Sequence, residues 1–333
     1  RFGERVLLLL GTFPARSFEE LFQGVKAIPW EDFLGKEDVF PVTGSCLSSQ
    51  LHSVPDCQSI VKKAVVERLK AKYKLSWFPE TGPLHRIRFR ILKDQVSVMM
   101  DTSGEGLHKR GYRAVSNGAP LKETLAASLL KLSRLRSDGH LIDPFCGSGT
   151  LLVEAALMAF HIAPGVGRSF TAETWREISP KLWEEERERA RSLEQRDTEF
   201  RAEGFDIDPA AVELSLANAK NAGVEKAITA SVRDIRDFAQ EDVYGCVVCN
   251  PPYGERLLDL RQAEELYQVM GKVFQPRRGW SFGIITPDGD FESLFGRKAD
   301  KRRKLYNGMI QCQYYQFFKG EGTSHGPAGK AAR

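Results

Sequence analysis

The feature that most constrains this chain is a short apolar run at 141–142 that stops at Asp143. It gives way to Pro144, Phe145, Cys146, Gly147, Ser148, Gly149 and Thr150, and then to a second apolar stretch over 151–160. Strand, glycine turn and helix in that order form the ligand-binding corner of a doubly wound α/β sheet. Glycines there let a ligand approach the backbone closely, because no Cβ intervenes. The corner lacks the third glycine of a dinucleotide fingerprint and the lysine of a phosphate-binding loop. Asp143 at the strand end suits a cationic ligand without phosphates.

Three more strand ends follow the same plan. Residues 204–209 read Gly-Phe-Asp-Ile-Asp-Pro and lead into a helix expected over 210–222. Asp206 is placed to bind two ribose hydroxyls, whereas Asp208 caps the helix that Pro209 opens. A third strand ends over 231–235, where Asp234 can accept from an adenine amino group and Ile207 and Ile235 supply apolar walls. A fourth, fully apolar run over 243–249 ends in Asn250, Pro251, Pro252 and Tyr253. All four ends would lie at the carboxyl edge of one parallel sheet, where ligands bind. The expected cofactor contacts are Asp143, Phe145, Gly147, Ser148, Gly149, Asp206, Ile207, Asp234, Ile235 and Asn250.

Asn250, Pro251, Pro252 and Tyr253 are the expected catalytic set. Each proline fixes its own φ and pushes the preceding residue into extended geometry, so Asn250 projects from a stiff ledge. An amino group conjugated to a ring is a poor nucleophile, because its lone pair is delocalised. Two acceptors, the Asn250 amide oxygen and the Pro251 carbonyl, can take its two hydrogens and turn the lone pair toward a donor. Tyr253 can stack on the ring. Positioning alone carries such a reaction, and no metal is required. The plain alternative is a proline-rich turn after a strand; the ordered set of four strand ends favours the chemical reading.

A length of 333 residues suggests two domains, or one domain with a large addition. The boundaries expected are an α+β region over 1–103, a linker rich in turn formers over 104–120, an α/β domain over 121–320 and a disordered tail over 321–333. The chain starts at Arg1, as though entering a domain already in progress. Its six cysteines are scattered, which points to a reducing cytoplasm. Cys246 and Cys249 have no second pair to complete a zinc site and read as buried, on opposite faces of a strand. No apolar run is long enough to cross a bilayer, and neither a membrane nor a metal is expected as a partner.

Charge is unevenly spread. Residues 51–113 carry 13 Lys or Arg against 6 Asp or Glu, whereas residues 1–50 carry 5 against 7. In the N-terminal third a strand is expected over 5–10, and Ser17 and Glu20 form a capping box for a helix faced by Phe18, Leu21, Phe22 and Val25. A second helix is expected over 58–73, with an apolar side (Ile60, Ala64, Val65, Leu69) and a basic side that includes Lys62 and Lys63. Residues 85–91 alternate strictly, sending Ile87, Phe89 and Ile91 to a core and Arg86, Arg88 and Arg90 outward, before a partner strand over 96–100. Lys109, Arg110 and Arg113 add basic character to the linker. These eight cations are the expected RNA contacts; a solvated sheet edge is the bland alternative. Further on, an amphipathic helix is expected over 121–135 and a charged, helical insertion over 171–201. A strand is expected over 279–286, a basic loop over 297–304 and a last strand over 311–318.

The motif from Leu107 to Arg113, the glycine turn from Asp143 to Thr150, and Asn-Pro-Pro-Tyr-Gly-Glu-Arg from Asn250 to Arg256 together resemble the THUMP-domain RNA guanine-N2 methyltransferases. The bacterial large-subunit rRNA enzymes are the nearest of these in pattern, and Ser53 to Gln58 matches their THUMP part. The resemblance covers nearly the whole chain. It implies a Rossmann-like, seven-stranded class I methyltransferase domain behind a small α+β RNA-binding domain. It also implies S-adenosylmethionine as cofactor and a guanine of rRNA, or of a ribosomal precursor particle, as substrate. A tRNA guanine, adenine N6 and protein glutamine remain alternative acceptors, and a non-catalytic ribosome-assembly factor is the alternative from outside enzymology.

Overall fold

The computed structural model describes residues 1–113, 121–253 and 260–318. They form two compact units, one of Gly3–Leu107 with Arg168–Arg189, the other of Arg1–Phe2, His108–Gly167 and Ala190–Arg333.

In the first unit, strands β1 (Leu7–Pro14), β2 (Val42–Leu47), β3 (Ile87–Leu92) and β4 (Gln95–Asp101) form a sheet in the order β1-β4-β3-β2. The helices are α1 (Phe18–Ala27) and α2 (Val54–Tyr73). Ser17 and Glu20 close the expected capping box. Helix α2 starts four residues before the expected start at 58, because Pro55 falls in its first turn, where a missing N–H costs nothing. Its buried face holds Cys57, Val61, Ala64, Val65 and Leu69, with the expected Ile60 packed half-buried against the same core. Phe18, expected on the core face of α1, is exposed. Ile87, Phe89 and Ile91 enter the core as the alternation requires. Gly44 on β2 allows this packing, since a Cβ there would meet the Phe89 ring at 2.4 Å. Strand β3 pairs on both sides, with β2 and with β4, so it is not a sheet edge.

The charged insertion completes this same core. Its first turn, Thr171–Thr174, is a 3-10 helix, and Trp175 is buried behind it. The Trp175 Nε1 donates to the Leu84 carbonyl at 3.0 Å, and its ring stacks on His85 at 4.8 Å. Helix α5 (Pro180–Ser192) then presents no buried residue.

The second unit is built on helices α3 (Glu123–Leu132), α4 (Thr150–Ala159), α6 (Pro209–Asn221), α7 (Leu260–Val273) and α8 (Phe291–Phe295). Its strands are β5 (His140–Asp143), β6 (Arg201–Asp206), β7 (Ile228–Val232), β8 (Gly245–Cys249), β9 (Trp280–Thr286), β10 (Lys301–Asn307) and β11 (Ile310–Phe317). They form one sheet in the order β10-β11-β9-β8-β5-β6-β7. Strands β5 to β9 pair in parallel, and β11 is antiparallel to both neighbours. Both faces are covered, so β8 is buried at all five positions, as its continuous apolar run requires. Cys246 packs with Val248 on one face and Cys249 with Val247 on the other. The basic stretch expected as a loop over 297–304 contributes instead to edge strand β10. The expected tail over 321–333 lies outside the described residues. No described helix is long and apolar enough to cross a membrane.

Candidate active site

The order of strands fixes where the candidate residues gather. After β5 the chain adds β6 and β7 on one side, then crosses to β8 and β9 on the other. The switch point lies between β5 and β8, paired through Leu141 with Cys246 and Ile142 with Val247. Asp143 ends one of these strands and Asn250 follows the other.

At the glycine turn, backbone geometry does the shaping. Gly149 has φ +74° and backs onto α6, where a Cβ would lie 2.3 Å from the Ser215 hydroxyl. Gly147 has φ +50° and faces open space, with nothing within 4 Å of where its Cβ would be. One glycine is there for packing; the other leaves room against the backbone that a side chain would fill. Asn218 Nδ2 donates to the Ser148 carbonyl at 2.9 Å and ties the turn to α6. Asp206 holds the turn from β6, accepting from the Gly147 N–H at 3.0 Å and from the Asp208 N–H at 3.1 Å. Asp208 caps α6 by accepting from the Ala210 N–H at 2.9 Å, as expected.

Asp143 is buried and accepts from the Phe145 N–H at 3.2 Å. Burial pushes its carboxyl up to about 8, the nearby Asp206 adds to the rise, and the Phe145 N–H opposes it. A cationic ligand beside it would draw it back to the ionised form. Asp234 is less open than the sequence suggests. It accepts from the Arg236 N–H at 2.8 Å and pairs with the Arg236 guanidinium at 2.7 Å. Ile207 is 69% exposed and can cover a ligand, whereas Ile235 is buried in the core with Phe205 and Phe238. The open space at Gly147, Asp143 and Asp206 at two adjacent strand ends and the exposed Ile207 fit an adenosine ligand with a cationic arm.

On the other side of the switch point, the Tyr253 hydroxyl donates to Asn250 Oδ1 at 2.5 Å. It accepts in turn from Asn307 Nδ2 at 2.9 Å. Tyr267 Oη supports the ledge from α7, at 3.4 Å from the Pro252 carbonyl and 2.9 Å from Thr286 Oγ1. Sequence reasoning missed Asn307 and Tyr267. The dipeptide Asn307-Gly308 between alternating strands is a hairpin signal that would have placed Asn307 at a turn; Tyr267 looks like any core aromatic. Gly254, Glu255 and Arg256 lie outside the described residues. Among the described residues no cluster of His, Cys, Asp or Glu could hold a metal. A cavity of about 320 Å3 opens at the opposite, amino edge of the sheet, beside His140 and Trp280, far from these strand ends.

The cations expected to grip RNA divide into two groups. Arg110 is buried and pairs with the fully buried Glu154 at 3.2 Å, so it is a core ion pair and not a surface contact. Arg113 is held by Glu123 at 3.3 Å and Thr150 at 2.6 Å. Lys62 donates to Glu80 at 2.6 Å and to the Phe40 carbonyl at 3.1 Å, and Arg88 donates to Asp101 at 2.9 Å. Each of these cations is tied to a carboxylate of the fold, although Arg88 shares Asp101 with Arg5 at 2.6 Å. Lys63, Arg90 and Lys109 are exposed and Arg86 is half-buried.

Comparison with known proteins agrees with this geometry. Residues 110–316 match the family described as RMKL-like, methyltransferase domain, and residues 15–101 match the THUMP domain. The chain is 42% identical over 320 residues to the protein named "Putative RNA methyltransferase YpsC" of Bacillus subtilis (strain 168), covering 96% of this chain and 83% of the relative. It is 35% identical over 327 residues to ribosomal RNA large subunit methyltransferase K/L of Psychromonas ingrahamii, covering 94% of this chain but only 43% of that longer protein. The crystal structure of SMU.472 complexed with SAH superposes with a TM-score of 0.88 at 42% identity, covering 96% of this chain and 85% of that one. The chain therefore belongs to the RMKL-like methyltransferase family, with a THUMP domain preceding its methyltransferase domain.

Proposed function

We propose that this S-adenosylmethionine-dependent methyltransferase acts on RNA and modifies the exocyclic N2 amine of a guanine, with large-subunit rRNA as substrate. The observation that carries this is the amide of Asn250, held by Tyr253 on a diproline ledge at the switch point of the sheet. Bound S-adenosylmethionine supplies an electrophilic methyl group. The open side of Gly147, with Asp143 and Asp206, is the place these residues offer it. An amide oxygen has two lone pairs, so the Tyr253 hydroxyl leaves one on Asn250 for a substrate N–H. The Pro251 carbonyl takes the second hydrogen, and the amine lone pair is turned toward the glycine turn. Tyr253 stacks on a nucleobase flipped out of its helix. The alkylated nitrogen is acidic and loses its proton to water, so no strong base is needed.

The names of the YpsC and K/L relatives favour RNA, and rRNA within it, as the acceptor. The THUMP match supports an RNA substrate, and in the first unit the exposed Lys63 and Arg90 with the half-buried Arg86 are the cations offered to its phosphates. The scatter of the six cysteines along the chain favours a reducing cytoplasm as its compartment. The test is methyl transfer from S-adenosylmethionine to large-subunit rRNA, naked or in precursor particles, from cells lacking the protein, followed by nucleoside mass spectrometry. N2-methylguanosine is expected. N6-methyladenosine as the sole product would overturn the guanine assignment, and absence of S-adenosylmethionine binding by calorimetry would favour a non-catalytic assembly factor.

A further inference from the structure

Edge strand β10 ends where the candidate site begins. It is antiparallel to β11, which is antiparallel to β9, so its last residue Asn307 lies at the same sheet edge as Asn250. Asn307 and Ile310 are paired, and only Gly308 and Met309 join the two strands. Gly308 has φ +63°, as the first central position of a tight II′ turn requires. Met309 at the tip is 97% exposed and Tyr306 is 55% exposed. The strand leading there reads Lys301, Arg302, Arg303, Lys304. Arg302 is held by Glu292 at 2.5 Å, while Lys301 and Lys304 are exposed and the Lys304 ammonium sits 5.8 Å from the Tyr306 ring. Two residues before Met309, Asn307 donates to the Tyr253 hydroxyl, which donates to Asn250.

We infer that this hairpin engages RNA, with Lys304, on the same strand face as Tyr306, meeting the phosphate backbone and Met309 inserted into the base stack where the target nucleotide has left it. The inference rests on the base-modifying reading of the site above. Extruding a base opens a gap in the stack, and proteins fill such gaps with apolar wedges. An unbranched, deformable thioether on a stiff two-residue turn meets that need. The basic strand behind it complements a polyanion, and the hydrogen-bonded path through Asn307 ties the hairpin to the amide that would receive the extruded base. An apolar protein partner would also cover Met309, but it would have no use for Lys304 or for the link to Asn250.

The test compares wild type, Met309→Ala and Met309→Leu in single-turnover methyl transfer to large-subunit rRNA from cells lacking the protein. The rRNA is used folded with magnesium and, as the unfolded substrate, cut to short single-stranded fragments and heat-denatured with chelator. Met309→Ala is expected to slow transfer to folded rRNA by about tenfold, Met309→Leu to restore most of it, and all three to match on unfolded rRNA, where no stacked base must be displaced. Equal rates for Met309→Ala and wild type on folded rRNA would overturn the wedge. So would an equal loss on folded and unfolded rRNA. If wild type transfers nothing to either, the base-modifying reading fails and the wedge falls with it.

Discussion

At Asn250 the amide oxygen already accepts the Tyr253 hydroxyl at 2.5 Å, so the side chain meets its substrate pre-oriented and with one lone pair to spare. Replacing Asn250 with Ala removes the positioning amide and only one of the expected cofactor contacts. Transfer is expected to fall by about 100-fold or more, while S-adenosylmethionine affinity measured by calorimetry changes little; normal turnover would refute the role. Asp143 makes a prediction of a different kind. Its buried carboxyl is pushed up to about 8, against an unfolded value near 3.8. Between these values the folded ligand-free protein holds a proton that the unfolded chain does not, so stability falls as pH rises through that window. Asp143→Asn cannot lose this proton. Its Tm, measured from pH 5 to 8, should fall less than that of wild type, and parallel curves would show that burial does not perturb Asp143.

At the scale of elements, the segment between α4 and β6 shows where sequence reading stops. Its charge and helical pattern are visible, and α5 does form. That Trp175 completes the core of the first unit is not visible, because nothing local to Trp175 records the Leu84 carbonyl or the His85 ring 90 residues earlier. Trp175→Ala is expected to destabilise that unit by about 3–5 kcal/mol, read as an earlier denaturant transition in the probe that reports the THUMP domain. An unchanged transition would mean that the tryptophan packs there without supporting the fold. Strand β10 shows the converse. Four consecutive cations read as a solvated loop, yet a sheet edge accepts them, since only one face and one side of such a strand meet the interior.

For the molecule as a whole, the two units divide the electrostatics. In the first, Lys62 is paired with Glu80 and Arg88 shares Asp101 with Arg5, which leaves Lys63, Arg86 and Arg90 as the better candidates for phosphate contacts. Replacing these three with Gln is expected to flatten the salt dependence of RNA affinity by about 2–3 units of log K per log salt, with S-adenosylmethionine binding in the second unit unaltered. An unchanged slope would assign them to a solvated face.

The sequence by itself determined which strand ends carry acids, glycines and the Asn-Pro-Pro-Tyr ledge, since these are local facts of periodicity, turn chemistry and proline geometry. It also determined the alternation of β3 and the capping of α1 and α6. Only the tertiary structure decided which charges are spent inside. Arg110 looked like a surface cation until Glu154, 44 residues away, was brought against it in the core. It likewise decided that Asn307 reaches Tyr253. Partners distant in sequence are chosen by packing, and a side chain's chemistry is not complete until its neighbours are.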